Sequence, residues 1–168
     1  AEHTQESSLF RFFRLREPNG ESLIPETKVI SSSRREATDE EASKLNLPQN
    51  APIVELVRLR FINQKPTVLE KAIQPLSIFP DIDKQAEIPN ALYILYQEKY
   101  GITIVSVDDE LRAVELPECL AEHLQLPAGS PVLMIERLSV NIDGRIVELS
   151  TAYCSSENFV LFQQISWV

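Results

Sequence analysis

Glycine is scarce in this chain, at four in 168 residues, and cysteine, histidine and methionine are scarcer still, at two, two and one. So few glycines leave little material for phosphate cradles made of backbone amides, and neither a P-loop nor a G-x-G-x-x-G fingerprint occurs. The hydrolase elbow G-x-S-x-G and the zinc motif H-E-x-x-H are missing as well. His3 stands in a polar start and His123 beside Glu122 on an expected helix, so neither is placed as a general base. Cys119 and Cys154 lack the paired spacings of a zinc site and are too few for a disulfide framework. Cys154 reads as a small core residue before it reads as a nucleophile, having no activating His or basic neighbour close in sequence. No metal or cofactor is expected, and a reducing cytoplasm is the expected compartment.

Positive charge is also short. Sixteen Lys and Arg face 25 Asp and Glu, a net charge of −9, which argues against a surface that binds nucleic acid by neutralising phosphates. No apolar run approaches the roughly 18–20 residues of a membrane span. The start AEHTQESS has neither the basic nor the apolar region of a signal peptide. The only methionine is Met134, so the chain opening at Ala1 is expected to be either a processed protein or an excised part of a longer one. Ordinary globular usage, 43% hydrophobic and 24% charged, predicts one domain over residues 1–168.

What the chain has is an internal echo. Residues 45–61, LNLPQNAPIVELVRLRF, and 124–140, LQLPAGSPVLMIERLSV, superpose when slid by 79 positions, with Leu45 on Leu124, Pro48 on Pro127, Pro52 on Pro131 and Arg58 on Arg137. A period that long does not suit a solenoid, whose units run to roughly 20–50 residues. Two similar halves of one domain are expected instead.

The first eight residues are polar, and LFRFFRLR (9–16) reads as a strand ahead of a turn at Asn19-Gly20. KVISSSRRE reads as extended, Thr38 and Glu41 form a capping box for a short helix closed by Pro48, and 53–62 with 66–74 form a hairpin around Asn63-Gln64-Lys65. The second copy repeats helix, turn and hairpin: a helix from Pro117 through Leu124, strands 131–142 and 145–154, and a turn at Asp143-Gly144. Between the copies, Pro89 to Tyr100 predicts a helix stopped by Gly101, followed by a strand over 102–115; a last strand spans 158–167, packed by Phe159, Phe162 and Trp167. The class is α+β, with a mainly antiparallel, pseudo-symmetric sheet carrying helices.

Alternate strand residues share a face, so Arg58 and Arg60 project together, their guanidinium groups roughly 7 Å apart. A three-residue loop at 63–65 would set Arg58 opposite Glu70. Two guanidinium forks and a carboxylate can clamp an anion and one hydroxyl or amine. The plainer reading is a solvated sheet face with a cross-strand ion pair worth a fraction of a kcal/mol.

These blocks in order, LFRF, VRLRFINQKPTVLEKAIQP, ALYILYQEKYGI, LRAVELPECLAEHLQLPAGSPVLMIERL and DGRIVELSTAYC, resemble the effector-binding (UTRA) domain of GntR-type bacterial transcription regulators of the HutC subfamily, from about Leu9 to Ile165. The resemblance implies a chorismate-lyase-like fold and a homodimer. It also implies a small anionic effector, phosphorylated or carboxylate, and operator DNA bound only through an N-terminal winged-helix domain that this chain lacks. It matches Arg58 and Arg60 to the family's R-x-R, Glu70 to the glutamate after its turn, Glu148 to the glutamate of the second hairpin, Tyr153 and Cys154 to tyrosine positions, and Ser106 and Asp108 to a pocket-lining strand. Ser155-Ser156-Glu157 stands where sugar-phosphate binders often have R-G-D, which favours a carboxylate metabolite as much as a phosphate. A chorismate-lyase-like enzyme and a dimerisation module with a vestigial pocket are the alternatives.

Overall fold

The computed structural model describes residues 15, 16, 18, 24–157 and 159–167. The expected turn at Asn19-Gly20, His3 and most of the 9–16 strand lie outside them. Six long segments rich in β-branched residues form one antiparallel sheet: β2 (Glu26–Glu36), β3 (Pro52–Ile62), β4 (Lys65–Pro75), β5 (Ile104–Glu115), β6 (Pro131–Asn141) and β7 (Ile146–Cys154). Their order is β2-β3-β4-β7-β6-β5. A two-stranded ribbon pairs β1 (Leu15–Arg16) with β8 (Val160–Leu161). Among the described residues there are three short α-helices, α1 (Asp39–Lys44), α2 (Leu92–Tyr100) and α3 (Glu118–Leu124), and a 3-10 turn at Ile82–Lys84.

The echo is a structural repeat. β2-α1-β3-β4 and β5-α3-β6-β7 are related by the 79-residue shift, and they meet at β4 and β7 in the middle of the sheet. Both helices end at a residue in the left-handed region, Asn46 and Gln125, each at φ 53°. Leu47 N–H then reaches Ala42 O at 2.8 Å, as Leu126 N–H reaches Ala121 O at 3.2 Å, the closing bond of a Schellman turn. Asn46 therefore ends α1 before Pro48 is reached. The frame continues with Ala37 N–H to Ala51 O and Leu116 N–H to Ser130 O, again 79 apart.

One face of the sheet is covered by the paired helices, each reaching across the pseudo-axis. Ala42 and Leu45, at α1, pack on Ile53 and Ile73 but also on Leu149 of the second half. Ala121 and Leu124 of α3 pack on Val132 but also on Leu59 and Leu69 of the first. The opposite face carries two apolar patches. At one end Leu92, Tyr93, Leu95 and Tyr96 of α2 cover Val54, Leu56, Ala72 and Val147. At the other, Leu15 of the ribbon covers Val68 and Cys154. A polar band separates them.

The final segment departs from expectation. Phe159 is buried, but strand pairing among the described residues of this segment is confined to Val160–Leu161, and Trp167 is 95% exposed.

Candidate functional site

The band is set by strand register. Two residues, Asn63 and Gln64, make the β3-β4 turn, both at positive φ (50° and 64°), with Ile62 paired to Lys65. The loop is thus one residue shorter than expected. A bulge just beyond, where Arg60 meets Val68 and Phe61 meets Pro66, restores the count, so Arg58 does pair with Glu70.

Arg58 is the largest fully buried side chain, at 2% exposure. Its Nη2 donates to Glu70 Oε1 at 2.6 Å, and Nη1 donates to the carbonyls of Pro89 and Asn90 at 3.3 and 3.1 Å. Its Nε is buried with no hydrogen-bond partner. Arg60 donates to Glu70 Oε2 at 3.4 Å, to Thr27 Oγ1 at 3.2 Å and to Asn90 Oδ1 at 3.1 Å. Asn90 in turn donates from Nδ2 to Pro25 O at 2.7 Å and accepts from Thr27 Oγ1. Burial lowers the Arg60 guanidinium to about 10, against the pull of Glu70. Burial alone would raise the Glu70 carboxyl, but Arg58 and Arg60 outweigh it and hold it at about 2. Two buried guanidiniums thus flank the Glu70 carboxylate in a polar band that solvent still reaches at Glu70, whose side chain is 17% exposed.

The second half supplies the far side of the band. Arg137, the echo of Arg58, lies on the same face and is forked to Asp109 of β5 at 2.7 and 2.8 Å. Ala72, Ser150 and Ala152, all small, form the floor between the two arginine sets. Glu148 pairs with Ser139, accepts from the Tyr96 hydroxyl and is 3% exposed; Gln74 Nε2 donates to that hydroxyl at 2.7 Å. Burial, reinforced by the Glu70 charge and opposed by the Tyr96 hydrogen bond, raises the Glu148 carboxyl to about 7. Tyr93 and Ser139 share a hydroxyl contact of 2.7 Å.

Of the residues expected from sequence, Arg58, Arg60, Glu70 and Glu148 share this face. Cys154 lies on it too, but under Leu15 in the apolar patch at 2% exposure, its thiol pushed up to about 12 by burial. Ser106 and Asp108 do not join the band. They pair with Val140 and Leu138, so they project from the helix-bearing side and are exposed, whereas Asp109, one residue on, points into the band. Tyr153 is corrected likewise: paired with Leu69 and Met134, it packs beside α3 on the opposite face. Arg137, Asp109, Asn90, Tyr96 and Gln74 escaped the sequence reading, although the echo itself superposes Arg137 on Arg58. α2 begins at Leu92, not Pro89, which frees the Pro89 and Asn90 carbonyls to receive Arg58. An open hollow of about 560 Å³ lies between that segment and α2, lined by Glu87, Ile94, Glu98 and Lys99 among others.

Helices on one face of a pseudo-symmetric antiparallel sheet and a charged band on the other define a chorismate-lyase-like α+β regulatory domain. A family model, the UTRA domain, matches residues 20–160, and the chain belongs to that family of GntR-type transcription regulators. Among similar proteins, an Escherichia coli protein named "Probable fructoselysine utilization operon transcriptional repressor" is 25% identical over 134 residues, 80% of this chain and 55% of its own. The Escherichia coli mannosyl-D-glycerate transport/metabolism system repressor MngR is 26% identical over 102 residues, 61% of this chain and 42% of its own. The chain thus spans about half the length of such relatives. The crystal structure of PhnF from Mycobacterium smegmatis shares the fold with a TM-score of 0.80 at 16% identity, over 99% of this chain and 69% of that one. Among the described residues no helix is long and apolar enough to cross a membrane.

Proposed function

We propose that the polar band is an effector site for a small organic anion, and that occupancy alters operator binding by a winged-helix domain N-terminal to this chain. The observation that carries the reading is the pair of buried guanidiniums sharing one carboxylate, with Arg58 Nε unpartnered. A buried donor left without a hydrogen bond is costly, and an anion placed against Arg58 would satisfy it. Arg58 and Arg60 would take the carboxylate or phosphate, exchanging the Pro89 and Asn90 carbonyls for it. Glu70, ionised, and Glu148, able to donate or accept near neutral pH, would read hydroxyl or amine groups. Fructoselysine and mannosyl-D-glycerate, named in the relatives above, are polyhydroxylated and bear a carboxylate, which supports that class of ligand. The protein acts as a homodimer of the HutC branch in the cytoplasm and performs no chemistry on its ligand. The ligand changes DNA affinity only by its differential affinity for the two arrangements of the dimer.

Thermal unfolding of this chain against sugar acids, sugar phosphates and simple carboxylates tests the reading. A ligand at 100 times its Kd adds about 2.7 kcal/mol to stability. That shift is expected to vanish in Arg60→Gln and to fall sharply in Arg58→Lys, which keeps the charge but loses the fork. An anion-induced shift that both variants retain would move the site elsewhere. Pyruvate released from chorismate would favour the lyase reading.

A further inference from the structure

The sheet ends in two open edges, β2 and β5. An edge strand presents unpaired N–H and C=O groups that template another strand unless it is blunted. β2 is blunted. A bulge at Ile30 breaks its register, and Arg34 forks to Asp81 and Asp83 at 2.7–2.8 Å, tying the 82–84 turn beside it. Its cations Lys28, Arg34 and Arg35 also have no arrangement that pairs each with an acid on an identical strand.

β5 has no such protection among the described residues. It runs for 12 residues without Gly or Pro, and its only register shift lies at its start, between Ile104 and Ser106, leaving Ser106–Glu115 in unbroken pairing with β6. Leu111 is 43% exposed, and the side chains of Glu110 and Arg112 are 69% and 65% exposed. The run Glu110-Leu111-Arg112 is self-complementary. If two copies pair antiparallel about a two-fold axis through Leu111, each Glu110 meets Arg112 of the second copy and Leu111 meets its own counterpart. Moving the axis to Glu110 brings Asp108 opposite Arg112 but sets Glu110 against its own counterpart, and moving it to Arg112 sets base against base, so of the three only the Leu111 axis opposes acid to base with no like-charged pair. Such a pairing is isologous and closes, whereas β5 on β2 would propagate.

We infer that β5 is the homodimer seam, pairing with β5 of a second copy about an axis at Leu111 and joining two six-stranded sheets into one. Asp109, two residues from the axis, holds Arg137 of the polar band, so ligand site and seam share a strand. The seam itself stands on the edge geometry and does not depend on the ligand reading; anion binding by the Arg58 and Arg60 variants tests that reading separately.

Two measurements on the full 168-residue chain decide it. In a Cys119→Ser background, Leu111→Cys should form a disulfide-linked dimer under mild oxidation, because opposed residues in an antiparallel pair lie about 4.5–5.5 Å apart, within disulfide range. In sedimentation equilibrium, Glu110→Arg should weaken the dimer at least tenfold, and Glu110→Arg combined with Arg112→Glu should restore it, with circular dichroism unchanged throughout. A wild-type monomer, a dimer indifferent to Glu110→Arg, or a double variant that stays dissociated while folded would overturn the assignment.

Discussion

The two halves share one backbone and differ in how they neutralise their arginines. In the second half β5 keeps its register past Asp109, so Arg137 receives a carboxylate of its own. In the first half the bulge at Ile30 leaves Val29 opposite Arg58, and β2 offers no acid there. Arg58 must share Glu70 with Arg60. A second difference lies in the hairpins. The β6-β7 turn is one residue longer, so beyond both bulges the shift becomes 80, and Glu70 corresponds to Ser150 while Val68 corresponds to Glu148. Different residues at these equivalent positions put the carboxylates on alternate rungs, one ionised between arginines and one close to neutral beside Tyr96. Equivalent scaffolds thus hold opposite electrostatic conditions on one floor.

The largest effect separating the halves should come from the arginines. Arg58→Ala removes the shorter of the two Glu70 ion pairs, leaving only the 3.4 Å contact with Arg60, and empties a fully buried position, so it is expected to cost about 3 kcal/mol in urea unfolding. Arg34→Ala, which loses ion pairs held by a solvent-exposed guanidinium, should cost far less. Equal losses would break the contrast between buried and surface charge.

The pH dependence is next. Glu148 is raised in the folded state, so its contribution is fully present below its unfolded value near 4.5 and is lost as pH rises through about 7, a fall of roughly 3 kcal/mol. Glu70 has the reverse sign: its contribution is present above about 4.5 and lost as pH falls toward 2. Unfolding free energy of Glu148→Gln should stay flat between pH 5 and 8, where the wild type declines. A wild-type profile already flat would put the two carboxylates in the same state.

The smallest effect concerns the helix ends. Gln125 holds the left-handed conformation at φ 53° with a full side chain. Gln125→Gly should raise stability by about 1 kcal/mol, and Asn46→Gly by less, since Asn tolerates that region better.

Much of this arrangement was legible in sequence because it rests on local signals. The capping box at Thr38 and Glu41, the Gly101 stop and the 79-residue echo each name a backbone conformation, and the structure has all three. Arg58 and Arg60 on one face follow from strand alternation alone. What escaped was parity after irregularities: a single bulge between Ile104 and Ser106 decides whether Asp108 or Asp109 faces the band, and no composition signal marks it. Tyr153 was misplaced for a related reason, since the 145–154 segment gives no sign of which face it turns to α3. The pairing of Arg58 with Glu70 came out right although the loop was shorter than expected, because the bulge at Thr67 offset the missing residue. Asn90 and Tyr96 were out of reach in another way, since they arrive from a segment far away in sequence and only tertiary packing brings them to the arginines.

The extra residue in the β6-β7 turn has a consequence for how such domains diversify. Hairpin tips tolerate insertions well, and here a tip insertion is absorbed before the strand reaches the floor, leaving core and floor positions in the same register in both halves. A duplicated half can therefore lengthen its rim without loss of the fold, while the group it recognises is set separately by which residues fill equivalent floor positions, Glu70 against Ser150 and Val68 against Glu148.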